Sequence, residues 1–289
     1  MINNPISYPG NKNKVVSQII PLIPETEFFV DVFCGSAVVS ANSFSEVLIL
    51  NDNNKYILQI LKYQHDNSFE QIVNDVESII FKYGLTYSRI KKKGYYVEKK
   101  HEGLSLYNKK GYELLKKDYN QDHDVKKLFV LLIYGFNHYL RFNSAGLFNV
   151  PVGKVDFSKS IYSKLREFEL SFRNKTIIFL NKDFRSAELY EYADAIYYFD
   201  PPYLVTTAPY NSFWNEKEET ELLALLDKLN SEGKKFALSN VLLSNGKENT
   251  FLKEWSTKYN VHYIKRQYRN ANYQKINITD TIEVLVTNY

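Results

Sequence analysis

A single cysteine, Cys34, stands in 289 residues, which excludes an internal disulfide and a cysteine zinc cluster. No apolar run approaches the ~20 residues that cross a bilayer, and Met1-Ile2-Asn3-Asn4-Pro5 lacks the apolar core of a signal peptide. The expectation is a soluble, cytoplasmic protein without a membrane partner. An excess of either charge is lacking: 37 basic against 33 acidic residues leave a net +4, a mild basic bias compatible with a polyanion partner but no proof of one. Glycine is missing where nucleotide loops need it. The stretch around Lys12 lacks the spacing of a phosphate loop, and Gly35 stands alone where a dinucleotide fingerprint needs several glycines. Acidic residues are scattered without ligand spacing, so no metal is expected.

What is present begins with a 44% hydrophobic content, enough for one large domain or a domain with an insertion. The most informative stretch is Asp200-Pro201-Pro202-Tyr203. It follows Ala195-Ile196-Tyr197-Tyr198-Phe199, whose β-branched and aromatic residues read as a buried strand. Proline donates no ladder hydrogen bond, so the strand stops there. A carboxylate, a stiff turn and a ring are thereby delivered to the carboxyl edge of a core strand, where open α/β sheets bind ligands. Such a set suits an exocyclic amine on a base ring, whose delocalised lone pair attacks a methyl donor poorly. Asp200 and the Pro201 carbonyl could each accept one N–H and favour a pyramidal nitrogen, while Tyr203 stacks on an extruded base. The same residues also fit a strand ending in a proline-rich turn with a solvated Asp, and short motifs match by chance.

Along the chain, residues 7–14 read as a turn before an amphipathic helix, and residues 27–31 as a first strand. Phe33-Cys34-Gly35-Ser36 is a tight turn into a short helix from Ala37. Cys34 reads as a small packing residue. A second strand at 47–50 ends in Asn51-Asp52, where an acid can bind both ribose hydroxyls or cap a helix. Phe69, Ile72, Val73, Val76, Ile79, Ile80 and Tyr83 recur at helical spacing. Residues 88–117 are lysine-rich and poorly periodic, and residues 128–134 form a buried helix capped near Asp122 or Asp124. Residues 136–149 alternate about Ser144-Ala145-Gly146 as a hairpin would, exposing Arg141, Asn143 and Asn149 to phosphates or base edges, or merely to solvent. Lys154 could meet phosphate, and His138 reads as structural. A helix carrying Ile161, Leu165 and Phe168 leads to a strand at 176–180 and to Asp183-Phe184. Pro209-Tyr210-Asn211-Ser212-Phe213 reads as a mobile flap. A helix at 216–230, a strand at 235–240, a helix with Trp255 and hairpin strands at 259–264 and 281–286 follow. Arg266, Arg269 and Asn270 fall on the loop between those last strands.

Taken in order, Ser7-Tyr8-Pro9-Gly10-Asn11-Lys12, Asp31-Val32-Phe33-Cys34-Gly35-Ser36, Asn51-Asp52, Arg141-Phe142-Asn143 with residues 148–153, Lys182-Asp183-Phe184 and the Asp-Pro-Pro-Tyr run span nearly the whole chain. In that order they resemble the Dam-like (D12 class) DNA adenine-N6 methyltransferases. The resemblance implies an α/β fold, a Rossmann-like class I methyltransferase sheet. It divides the chain into a catalytic, S-adenosylmethionine-binding domain at 1–55 and 158–289 and an inserted, mostly helical target-recognition domain at 56–157. It implies that Tyr8 and Lys12 hold the cofactor and order the site, and that Phe33 and Gly35 belong to the methionine-side loop. Asp52 would bind ribose, Asp183 the cofactor adenine amine, and Phe184 its ring, with Asp200 also at the cofactor. Arg141, Asn143, Asn149 and Lys154 would meet double-stranded DNA. A sulfonium is already a strong electrophile, so this chemistry needs no metal. A cognate restriction endonuclease could act in the same system, with no stable protein partner implied, and GATC is the leading target. The rivals are an amino methyltransferase acting on cytosine N4, RNA or protein glutamine, and a non-catalytic DNA-binding protein.

Overall fold

The computed structural model describes residues 1–6, 8, 10–96, 103–206, 214–265 and 281–289. Its frame is a mixed α/β sheet with a helical insertion. Strands β1 (Phe28–Asp31), β2 (Val47–Asn51), β3 (Thr176–Leu180), β4 (Ala195–Phe199) and β5 (Lys235–Ser244) are parallel. Strand β8 (Ile282–Thr287) runs antiparallel between β5 and β7 (Asn260–Ile264), and a two-residue β6 (Lys247–Glu248) pairs with the end of β5. The order is β3-β2-β1-β4-β5-β8-β7. From β1 the chain winds outward through β2 and β3, then returns to lay β4 on the other flank of β1. The direction of winding therefore reverses between β1 and β4, and at such a point the connecting loops diverge and leave a crevice at the carboxyl ends. Asp31 of β1 stands opposite Tyr198 of β4, so the residues that follow each strand are neighbours.

The two faces of the sheet have separate cores, set by the period-2 alternation of side chains. Phe29, Leu48, Leu50, Ile196, Tyr198 and Leu285 face one layer, with Phe168 and Phe172 packed on them. Val30, Ile49, Tyr197, Phe199, Val284 and Val286 face the other, under Leu222, Leu226 and Trp255. The first of these layers receives α7 (Lys159–Arg173), the second α8 (Glu216–Ser231) and α9 (Thr250–Ser256).

Between β2 and β3 the chain builds a third core from helices α3 (Lys55–Asp66), α4 (Phe69–Tyr83), α5 (Ser105–Asp122) and α6 (Val125–Tyr134). Helix α4 starts and stops where its spacing predicts, with a capping box between Ser68 and Gln71 and Gly84 at φ 62° to end it. Asp124 caps α6, whose residues 128–134 are all buried. Helix α5 begins inside the stretch 88–117, which has no readable periodicity, and runs past its end. Its buried face consists of Asn108, Gly111, Tyr112, Leu115 and Tyr119, so a carboxamide and a glycine stand where apolar residues mark a helix. Both have steric or polar reasons. A Cβ on Gly111 would come 2.0 Å from the Tyr83 carbonyl oxygen, so glycine lets α5 cross the end of α4 closely. Asn108 accepts from the Thr86 amide at 2.7 Å and donates to its hydroxyl at 2.9 Å, satisfying a buried side chain.

Other expectations shift at their edges. The helix expected after residues 7–14 is only α1 (Val16–Ile19), which tightens into a 3-10 turn at Ile20–Leu22 holding Pro21. The strand expected to stop at residue 240 continues to Ser244 because β8 and β6 both pair with it. The flap at 209–213 and the loop bearing Arg266, Arg269 and Asn270 lie outside the described residues. Among the described residues no helix is long and apolar enough to cross a membrane.

Candidate active site

Strand β4 is buried along its whole length, and at its end Asp200 emerges with a side chain 17% exposed. Lys12 reaches it from the opposite end of the sequence. The backbone carbonyl of Lys12 accepts from the Val15 and Val16 amides, which fixes the turn into α1. Its side chain is 4% exposed, and the ammonium donates to Asp200 Oδ1 at 2.5 Å, Asp200 Oδ2 at 2.6 Å and the Tyr203 hydroxyl at 2.5 Å. Tyr203 donates in turn to Asp200 Oδ1 at 2.8 Å, and its ring centroid lies 5.1 Å from the Lys12 ammonium. Burial, reinforced by the Asp200 charge, pushes the Tyr203 hydroxyl well above its ordinary value, so it stays a proton donor at neutral pH. A second carboxylate, Glu283 of β8, has Oε1 3.9 Å from the same ammonium and is 2% exposed.

Beside this cluster, Asp31 closes β1. It is buried, accepts from Ser40 Oγ at 2.5 Å, and its Oδ1 has no hydrogen-bond partner among the described residues. Burial pushes this carboxyl up to about 8; the Ser40 bond pulls it back, and the charges of Asp200 and Asp52 push in the same direction as burial.

The turn after β1 runs through Gly35 at φ 46° and Ala37 at φ 53°. Gly35 donates its amide to Asp52 Oδ2 at 2.9 Å, and Asn54 donates to Asp52 Oδ1 at 2.8 Å. Asp52 is therefore not the cap of the following helix: Asn54 caps α3 by accepting from the Tyr56 amide. Burial raises the Asp52 carboxyl, and the two amides oppose that rise. The Tyr8 ring covers Gly35, with ring carbons 3.6 and 3.7 Å from where a Cβ would stand. Three further rings meet next to this loop: Phe33 lies 5.7 Å from Phe184 and 5.7 Å from Trp214, and Phe184 lies 5.6 Å from Trp214. Trp214 is anchored through its indole N–H to Glu219 at 2.7 Å. Asp183 is half exposed and accepts from the Arg185 amide and guanidinium.

The structure thus brings Lys12, Asp200 and Tyr203 into one hydrogen-bonded group, and joins Tyr8, Gly35 and Asp52 in a neighbouring one. Pro201 follows Asp200 and is buried. The hairpin residues form a separate set. Asn143 and Leu147, and Arg141 and Asn149, are linked across the turn by backbone bonds, with Gly146 at φ 73°. The Arg141 guanidinium donates to Asn149 Oδ1 at 2.8 Å and Asn149 O at 3.0 Å, and Asn143 Oδ1 accepts from the Ala145 and Leu147 amides. These side chains hold the hairpin, while Phe142 stacks on Tyr56 at 3.9 Å to hold it to α3. Lys154 is exposed beyond the hairpin. His138 is half-buried with its Nδ1 2.9 Å from the Leu132 carbonyl, as a structural residue would be.

Sequence reasoning assigned no role to Asp31, Ser40, Trp214 or Glu283. A signal existed for Glu283: in Ile282-Glu283-Val284-Leu285 it shares strand parity with Leu285, whose side chain is buried in the core. A charge on the inward parity of an apolar strand marks a site or a strained core.

A family described as D12 class N6 adenine-specific DNA methyltransferase matches residues 8–270 of the chain. The Type II methyltransferase M.FokI of Planomicrobium okeanokoites is 34% identical over 298 residues, covering 100% of this chain and 43% of that protein. The modification methylase StsI of Streptococcus sanguinis is 32% identical over 300 residues, again 100% of this chain and 43% of its own length. A DNA adenine methylase of Vibrio cholerae is 24% identical over 285 residues, 96% of this chain and 88% of that one. The chain spans less than half the length of the first two of these relatives. With the match running from the Tyr8 turn past the Asp200 strand, the chain belongs to the D12 class of N6 adenine-specific DNA methyltransferases.

Proposed function

We propose that the chain transfers a methyl group from S-adenosylmethionine to N6 of adenine in double-stranded DNA, at a specific sequence. The observation that carries this is Asp200. A carboxylate stands at the carboxyl end of a fully buried strand, next to the winding reversal of the sheet, with Tyr203 hydrogen-bonded to it at 2.8 Å. The sheet is read as a Rossmann-like class I methyltransferase core, residues 1–55 and 158–289, and residues 56–157 as the target-recognition domain.

The residues present suit the cofactor. Asp52 offers a carboxylate oriented by two amides, fit for ribose hydroxyls. Asp31 offers a buried oxygen with no hydrogen-bond partner among the described residues, fit for the ammonium of the methionine moiety. Phe33 and Phe184 offer apolar rings to the adenine, and Asp183 an acceptor for its amine. Bound there, S-adenosylmethionine supplies a methyl group already activated by a sulfonium.

The chain's own work is orientation. Asp200 and the Pro201 carbonyl accept the two N6 hydrogens, which turns the amine lone pair toward the methyl group. Tyr203 stacks on the extruded base and keeps Asp200 aimed through its hydroxyl. Arg141, Asn143, Asn149 and Lys154 are read as the DNA-facing residues of the hairpin and its exit; the Arg141–Asn149 bonds and those of Asn143 to the turn would present a rigid edge to the duplex. The names of the relatives, a Type II methyltransferase and a modification methylase, favour a place in a restriction-modification system.

The test is expression in a host lacking DNA methylation, with long-read sequencing scored for N6-methyladenine by context. One motif modified at its adenine is expected, and Asp200→Ala should erase it while S-adenosylmethionine still binds. Folded protein with no modified adenine, or an Asp200→Ala variant of full activity, overturns the reading.

A further inference from the structure

Lys12 donates to both oxygens of Asp200. Oδ1 also accepts from Tyr203, so a target amine reaches Asp200 only by sharing an oxygen with the ammonium, and moving the ammonium away frees that oxygen for the amine. The Lys12 side chain is 4% exposed, and a buried cation without a counter-charge is strongly unfavourable. A second carboxylate is already in reach. Glu283 Oε1 stands 3.9 Å from Lys12 Nζ, about 1 Å beyond a charge-assisted hydrogen bond.

Glu283 is also the more rigid partner. It sits in β8 with strands on both sides, opposite Val241 of β5 and Ile264 of β7, and its own side chain is 2% exposed. Lys12 carries its charge on a four-carbon stem, which allows a shift of that size without backbone movement. The Asp200 side chain is the most exposed of the three, at 17%, and it is the one a base entering the crevice meets.

We propose that Lys12 has two seats: it rests on Asp200 when no base is bound and passes to Glu283 when the target amine takes Asp200. Glu283 is then a positioning residue for the methyl transfer, acting through Lys12 and not on substrate. The inference rests on the methyltransferase reading for its purpose, but not for its geometry. With a neutral side chain at 283 the ammonium would lose this second carboxylate, and the target amine would have to compete with it for Asp200.

Two measurements on the full chain test this. The first is a crystal structure of Asp200→Asn, which removes the charge of the first seat. Lys12 Nζ is expected to close on Glu283 from 3.9 Å to hydrogen-bond distance; an unmoved ammonium overturns the proposal. The second is single-turnover methylation of the duplex identified by sequencing, comparing wild type with Glu283→Gln. A loss of at least about tenfold in rate is expected, with S-adenosylmethionine affinity unchanged. A wild-type rate in a folded Glu283→Gln overturns the proposal, as does an equal fall in cofactor affinity, which a merely structural acid would produce. Should Glu283→Gln not fold, the Asp200→Asn structure still decides. Should the wild type methylate no adenine, the functional reading falls, and the movement of Lys12 is judged by the structure alone.

Discussion

Asp31 gives the protein a pH dependence of definite sign. The carboxyl is buried and its affinity for a proton is raised from an ordinary 3.8 to about 8. Between those values the folded chain holds a proton that the unfolded chain has released. Stability contributed by this group is therefore complete below the unfolded value, falls as pH rises, and is flat above the folded value. Each pH unit in the window is worth at most about 1.4 kcal/mol, and the group is half titrated near pH 8, so raising pH from ~6 to ~8 removes roughly 2 kcal/mol. Other groups titrate too: burial raises Asp52 in the same sense, while burial lowers the His138 imidazole and acts with opposite sign. The comparison that isolates Asp31 is wild type against Asp31→Asn, which keeps the shape and the acceptor for Ser40. Urea unfolding at both pH values should show the variant gaining on the wild type by up to that amount as pH rises. A difference between the two proteins that does not move with pH refutes the assignment of a protonated Asp31.

The same protonation has a consequence for the cofactor. If the methionine ammonium is held at Asp31, binding S-adenosylmethionine at pH 7 should release close to one proton, seen by calorimetry in buffers of different ionisation enthalpy, and Asp31→Asn should abolish it; unchanged release in the variant would assign the proton elsewhere. A second prediction concerns Glu219, a carboxylate fully buried in the first turn of α8. It accepts from Trp214 Nε1 at 2.7 Å, Asn249 Nδ2 at 2.8 Å and Asn240 Nδ2 at 3.1 Å, so Glu219→Ala strands three donors. Removing the buried charge offsets part of this loss, leaving roughly 2–3 kcal/mol of destabilisation; the urea midpoint measures it, with a red shift of Trp214 emission, and an unmoved midpoint contradicts it.

Local grammar carried the sheet. Strands β3 and β4 and helix α4 lie where β-branched runs, prolines and helical spacing put them, because each is decided by its own residues. Helix α5 was illegible because its buried face is defined by what α4 needs from it: room at Gly111 for the Tyr83 carbonyl and a carboxamide at Asn108 for Thr86. The site divides in the same way. Asp200 and Asp52 announce themselves as acids at strand ends, but an acid's partner is chosen by topology. Lys12 is 188 positions from Asp200, and only the return of β4 to the flank of β1 brings the turn before α1 over it.

The hairpin makes the complementary point. Arg141, Asn143 and Asn149 drew attention as polar residues fit to read DNA, and all three spend hydrogen bonds on one another or on the turn. Those bonds are no evidence against DNA contact. A guanidinium has five N–H donors, and the two recorded bonds from Arg141 both go to Asn149. A carboxamide whose oxygen is committed to the turn, as in Asn143, has its nitrogen oriented by that commitment. Fixing a side chain beforehand lowers the entropy lost when it meets a duplex. Polar residues that hold a hairpin and polar residues that present it are thus compatible roles for one set of atoms, which is why neither composition nor spacing alone separates them.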